Sequence, residues 1–83
     1  MTQQDIYAGL TEVMRDVFED DDLQIGSTTT AQDVPGWDSQ AHVLLIVATE
    51  QRFGIRFTTA EFESLKDVGE FATLIGDKLA RWG

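Results

Sequence analysis

The sequence predicts an all-α fold of four helices, with a short third helix and a long loop between the first two. Three observations predict it. Apolar residues recur at three-to-four spacing near both ends of the chain. A central apolar run, flanked by Gly36 and Gly54 and rich in Ala and Leu, is too long for a strand. A single proline occurs in 83 residues. That length allows one domain over residues 1–83 with one core, in which about 60–65% of the unfolded surface is buried. Such a domain does not enclose a large active site. With 42% apolar residues, two Trp and five Phe, the chain has material for a compact core.

In order along the chain, Ile6, Leu10, Val13, Met14, Val17 and Phe18 paint one stripe on a first helix from Gln3 to Phe18. Carboxylates at 19–22 oppose the helix macrodipole and one another, so the helix stops there. The stretch from Leu23 to Trp37 has no period and carries Gly26, four consecutive hydroxyl residues, Pro35 and Gly36. A loop this long in a small domain needs anchors, and Leu23, Ile25 and Val34 are placed in the core for that reason. The second helix covers residues 38–53. Val43, Val47 and Phe53 share one face of it with Ile46 nearby, while Leu44, Leu45 and Ala48 widen the apolar stripe, so it needs neighbours on several sides. Gly54 ends it as a C-cap. Thr58 and Glu61 have capping-box spacing before a short third helix. Asp67 and Glu70 repeat the signal before a last helix whose face is Val68, Phe71, Leu74, Ile75, Leu79 and Trp82.

Composition excludes several function classes. Fifteen acidic against six basic side chains give a formal charge of −9, which repels nucleic acid and anionic membranes and favours partners with basic faces. No segment approaches the roughly 18 apolar residues of a membrane span, and the N-terminus does not read as a signal peptide. With no cysteine, the chain offers neither disulfides nor a thiol nucleophile, and the expected location is the cytoplasm. A calcium loop starting at Asp20 fails because Ile25 stands where glycine is needed and Ala31 where a bidentate Glu is needed. No glycine-rich phosphate cradle followed by Lys is present, and no metal site is expected.

Asp38, Ser39 and His42 contain the residue types of a hydrolytic triad. Three residues on one exposed helical turn, however, provide neither an orienting carboxylate beyond the imidazole nor an oxyanion hole. His42 is expected to face solvent. Ser39 has two readings. It is the N-cap of the second helix, or, if Asp38 caps, it is free for modification at a helix start where backbone N–H groups stabilise an attached anion.

The stretch GWDSQAHVLLIVATEQRFGI resembles the phosphopantetheine attachment region of acyl carrier proteins. In that family an Asp-Ser pair follows a glycine-containing loop and opens helix two, which ends in acidic or polar residues, Phe and often Gly. Glu50, Gln51, Arg52, Phe53 and Gly54 match that ending, and Ile55, TAEFESL and KDVGEF continue the pattern, so the resemblance covers essentially the whole chain. It implies an acyl carrier protein-like four-helix bundle, monomeric and without catalytic residues. It also implies that Ser39 carries 4'-phosphopantetheine, transferred from coenzyme A by a magnesium-dependent phosphopantetheinyl transferase, with Asp38 as the adjacent motif residue. The cofactor then supplies the missing thiol and holds acyl groups as thioesters for acyl-transferring and condensing enzymes with basic docking patches. By position, Val43, Val47, Ile55, Phe62 and Leu65 are candidates to line an acyl pocket, with simple core packing as their other reading.

Departures from the family pattern bear on specificity. Gln40 replaces the usual Leu after the serine, and Ala41 and Leu44 stand where fatty-acid carriers are often acidic. Gln40, Leu44, Glu61 and Glu63 are therefore the docking candidates. Trp37 resembles carriers of specialised pathways more than the housekeeping fatty-acid carrier. Fatty acid, polyketide and lipid pathways remain open, as do a peptidyl or aminoacyl carrier and an unmodified acidic helical adaptor.

Overall fold

A computed structural model describes residues 2–82, excluding the side chain of Trp82; the expected place of that side chain on the last apolar face thus lies outside the described residues. The first helix, α1 (Gln3–Val17), starts at a reciprocal cap: Thr2 Oγ1 accepts the Asp5 N–H and Asp5 Oδ2 accepts the Thr2 N–H, both at 3.2 Å. The Thr2 N–H, and after it the Thr2 hydroxyl, hold the Asp5 carboxyl below its ordinary range. Ile6, Leu10, Val13 and Met14 are buried as the spacing requires, and Gly9 joins them.

The end of α1 is a hydrogen-bonded motif as well as a charge effect. Glu19 adopts φ 53°, in the left-handed region. Its N–H donates to Asp16 O at 3.3 Å and the Asp20 N–H donates to Arg15 O at 3.0 Å, so the last carbonyls are satisfied. The following loop is pinned as expected. Leu23 and Ile25 are half-buried against the core, Val34 is fully buried, and the Arg15 Nε–H holds the loop by donating to Leu23 O at 2.8 Å. A turn of 3-10 helix at Ala31–Asp33, which the sequence pattern does not announce, is closed by Asp33 Oδ2 accepting the Thr30 N–H at 2.9 Å.

Helix α2 (Ser39–Phe53) is capped by Asp38, whose Oδ1 accepts the Ala41 N–H at 2.8 Å, and it stops at Gly54 with φ 69°. Its buried face differs from the expected one. Leu45, Ile46 and Thr49 point into the core, whereas Val43 and Val47 are 51% and 45% exposed. The stripe is rotated because α1 packs on the Leu45 side, where Gly9 leaves room for Phe53: a Cβ on Gly9 would lie 2.7 Å from Phe53 Cζ. Thr49 is tolerated there because its hydroxyl donates to Leu45 O at 2.7 Å.

Helix α3 (Thr59–Glu63) begins with the expected capping box, Thr58 Oγ1 accepting the Glu61 N–H at 3.2 Å and Glu61 Oε1 accepting the Thr58 N–H at 2.8 Å. Helix α4 (Val68–Trp82) buries Val68, Phe71, Ala72 and Ile75 and, like α2, packs on α1. The four N–H groups of its first turn are all satisfied. Val68 and Gly69 donate to Thr29 O and Ser27 O of the long loop at 2.8 and 2.9 Å. Glu70 donates to Asp67 Oδ1 at 2.8 Å, and Phe71 to Asp67 O at 3.3 Å. Among the described residues the fold is four helices without a strand, an all-helical bundle with α1 at its centre.

Candidate functional site at the start of α2

The approach to α2 is a tight turn. The Trp37 N–H donates to Val34 O at 3.2 Å, Gly36 takes φ 87° as only glycine does readily, and the Asp38 N–H returns to Gly36 O at 3.0 Å. This sets Asp38 in extended conformation at the cap position, with its carboxylate on the Ala41 N–H. Ser39 follows as the first helical residue, exposed, and its hydroxyl is not needed for capping. The N–H groups of Ser39 and Gln40 have no acceptor among the described residues. An anion on the Ser39 oxygen would thus meet free donors at the positive end of a fifteen-residue helix.

Beside Ser39 lies a cleft of about 390 Å³ walled by Trp37, His42, Phe62, Leu65 and Phe71. Asp38, Glu63, Lys66 and Asp67 contribute charged groups to the same cleft. Two of the candidate pocket residues, Phe62 and Leu65, are on it; Ile55 is buried in the core, 2% exposed, and is not on the wall. Val43 and Val47 are on the outer face of α2, where with Leu44, 55% exposed, they form an apolar surface strip next to the exposed Gln40.

Two side chains have roles that the sequence pattern does not suggest. His42 does not face solvent: its Nδ1 accepts the Trp37 Nε1–H at 3.2 Å and its Nε2 pairs with Phe62 O at 2.9 Å. The aromatic partners lie five and twenty residues away in sequence, so helical position alone cannot reveal them. Glu61, named as a docking candidate, has its carboxylate engaged internally. It accepts from the Thr58 N–H and from Lys78 Nζ, the latter at 2.9 Å, and these bonds hold its pKa below the ordinary value. Glu63 stays exposed at the rim of the cleft. Ala31, Trp37, His42, Lys66, Asp67 and Phe71 are the residues of the cleft that sequence reasoning did not select. The only signal for Trp37 was its place directly before Asp38.

Fold and site together define a small helical bundle that presents an exposed serine hydroxyl at a helix start beside an apolar cleft. No protein-family model matches the chain, and no curated protein matches it significantly. Among solved structures it is similar to the solution structure of a holo acyl carrier protein from Geobacter metallireducens, at 41% identity, over 92% of this chain and 87% of that one, with a TM-score of 0.86. The chain belongs to the acyl carrier protein family. Among the described residues no helix is long and apolar enough to cross a membrane.

Proposed function

We propose that this carrier bears 4'-phosphopantetheine on Ser39 and hands acyl groups between the enzymes of a fatty acid, polyketide or related lipid pathway. The observation that supports this most is the division of labour at the start of α2. Asp38 takes the capping bond, which leaves the Ser39 hydroxyl exposed and the Ser39 and Gln40 N–H groups without protein acceptors. Those two N–H groups would hold the phosphodiester, and the apolar wall of Phe62, Leu65 and Phe71 gives a cleft suited to an acyl chain. The prosthetic group supplies the thiol that this cysteine-free chain lacks. The chain itself contributes the exposed attachment oxygen, the donors around it and a surface for transient docking.

On this reading, docking uses Gln40 and Leu44 on the outer face of α2 together with Glu63, and the acidic charge raises encounter rates with basic partners more than it prolongs their complexes. Because Glu61 is committed to Lys78, it serves docking only through the position of α3.

The test is incubation with coenzyme A, magnesium and a broad-specificity phosphopantetheinyl transferase, followed by intact-mass measurement. A single phosphopantetheine adduct that disappears in Ser39→Ala is expected. An unmodified wild-type chain, or an adduct that persists in Ser39→Ala, overturns the assignment.

A further inference from the structure

His42 lies on the first turns of α2, close after Ser39, and both of its ring nitrogens are engaged. The indole Nε1–H of Trp37 is a donor only, so Nδ1 of His42 must present a lone pair to it. The Phe62 carbonyl is an acceptor only, so Nε2 must carry the hydrogen. Of the three protonation forms of an imidazole, only the neutral Nε2–H tautomer makes both bonds. The relay continues through the aromatic rings. Phe18 packs on Trp37 with centroids 5.6 Å apart, Trp37 lies beside His42 at 6.1 Å, and His42 meets Phe62 at 5.7 Å. Among the described residues, the bond from His42 to Phe62 O is the one hydrogen bond between α2 and the five-residue α3.

Trp37, His42 and Phe62 are all walls of the cleft beside Ser39. We propose that His42 is a protonation-sensitive latch on that cleft: the neutral ring ties Trp37 and α3 to α2, and the imidazolium releases Trp37. Protonation places a hydrogen on Nδ1, so two donors face one another across a 3.2 Å gap that previously held a bond. Imidazoles change charge between roughly pH 5 and 8, within the range an intracellular or acidified compartment spans. The charged groups facing the latch are Asp38 from the α2 cap, Glu63 from α3, and Lys66 and Asp67 from the α3–α4 connection. Trp37 and Phe18 on the loop side and Phe71 on the α4 side bring no charge. Asp38 and Asp67 each use Oδ1 to accept the Ala41 and Glu70 N–H groups, which holds the two carboxylates at the starts of α2 and α4. The latch needs no modification of Ser39, so it stands or falls separately from the attachment proposal.

The chain has a single histidine, so its ring C–H resonances follow His42 without ambiguity during a pH titration by NMR. The Trp37 indole N–H signal is identified by its loss in Trp37→Phe. In the wild type its solvent exchange, after correction for the intrinsic pH dependence, should speed up about fivefold as His42 protonates, with the same midpoint. In His42→Gln the amide oxygen accepts from Trp37 and the amide N–H donates to Phe62 at any pH, so exchange should stay flat although Asp38, Glu63 and Asp67 are unchanged. A Trp37 signal that ignores the His42 titration, or an unchanged pH profile in His42→Gln, overturns the proposal. Should His42→Gln lose its helical circular dichroism, the two wild-type midpoints decide: coincidence supports the latch and separation refutes it.

Discussion

Lys78 Nζ lies 2.9 Å from Glu61 Oε1 and 5.5 Å from the centroid of the Phe57 ring, with the lysine residue only 8% exposed. A nearly buried ammonium is stable there because a carboxylate and an aromatic face replace its water. The pair ties α4 to the short α3, which has too few residues to hold its place by local bonds alone.

Glu61→Gln should therefore cost about 1–2 kcal/mol, since the amide keeps the capping acceptor but strands Lys78 without an anion. Thermal unfolding measures it. The pH dependence has a definite sign. The Glu61 carboxyl is held below its ordinary value of 4.5, first by the Thr58 N–H and then by Lys78, so its contribution is complete above that value and lost as pH falls through the lowered one. Wild type should lose stability more steeply below about pH 4.5 than Glu61→Gln does. Parallel acid-unfolding curves would show that the pair contributes nothing.

Two glycines of α4 should respond to alanine with opposite sign. A Cβ on Gly69 would sit 2.6 Å from the backbone oxygen of Ser27, the acceptor of its own N–H bond, so the loop must move and the cost should be about 1–3 kcal/mol. A Cβ on Gly76 meets nothing closer than 3.5 Å, so Gly76→Ala should instead gain up to about 1 kcal/mol of helix preference. Denaturation midpoints of the two variants at equal denaturant slope are the comparison.

Glu19 occupies the left-handed position that ends α1, with φ 53°. Glu19→Gly removes the Cβ strain and one of the clustered carboxylates, and should stabilise by about 1 kcal/mol despite the added freedom of the unfolded chain. A lower unfolding midpoint would show that the side chain of Glu19 has a favourable role outweighing that strain.

Leu44, 55% exposed, contributes little to the core, so Leu44→Gln should shift stability by less than about 0.5 kcal/mol. On the docking reading it should nonetheless slow loading of Ser39 by the transferase at low carrier concentration. A loading rate equal to that of wild type would remove Leu44 from the docking surface.

How much of this was legible in the sequence varied with the range of the interaction. Helix limits were, because Asp38, Gly54, Thr58 and Asp67 act on groups within a few residues of themselves. Local pattern left Ser39 with two readings, cap or free hydroxyl, and only the resemblance to acyl carrier proteins favoured the second; the bond from the Ala41 N–H to Asp38 makes Asp38 the cap. The buried face of α2 was not, because residues 43–47 are apolar throughout and their pattern leaves rotation about the helix axis undetermined. Contact with Gly9 of α1 selects the face, and it brings in a polar residue, Thr49, that periodicity would leave outside. His42 was misjudged: it looks solvated from its own helix, and Phe62, whose carbonyl engages it, is 20 positions downstream. The capping box of Glu61 was legible, whereas its partner Lys78, 17 positions downstream, was not.

The bonds from Val68 and Gly69 to Thr29 and Ser27 give the long loop a part in folding. Helix α4 has its opening donors met by carbonyls about forty positions upstream, so its first turn cannot be completed until that segment has settled. Nucleation of the last helix and ordering of the first connection are then one event. The other helices start from neighbouring side chains alone and α4 only in part, through Asp67, so the slowest step of assembly is expected to lie at this distant closure, where chain entropy is lost before packing compensates.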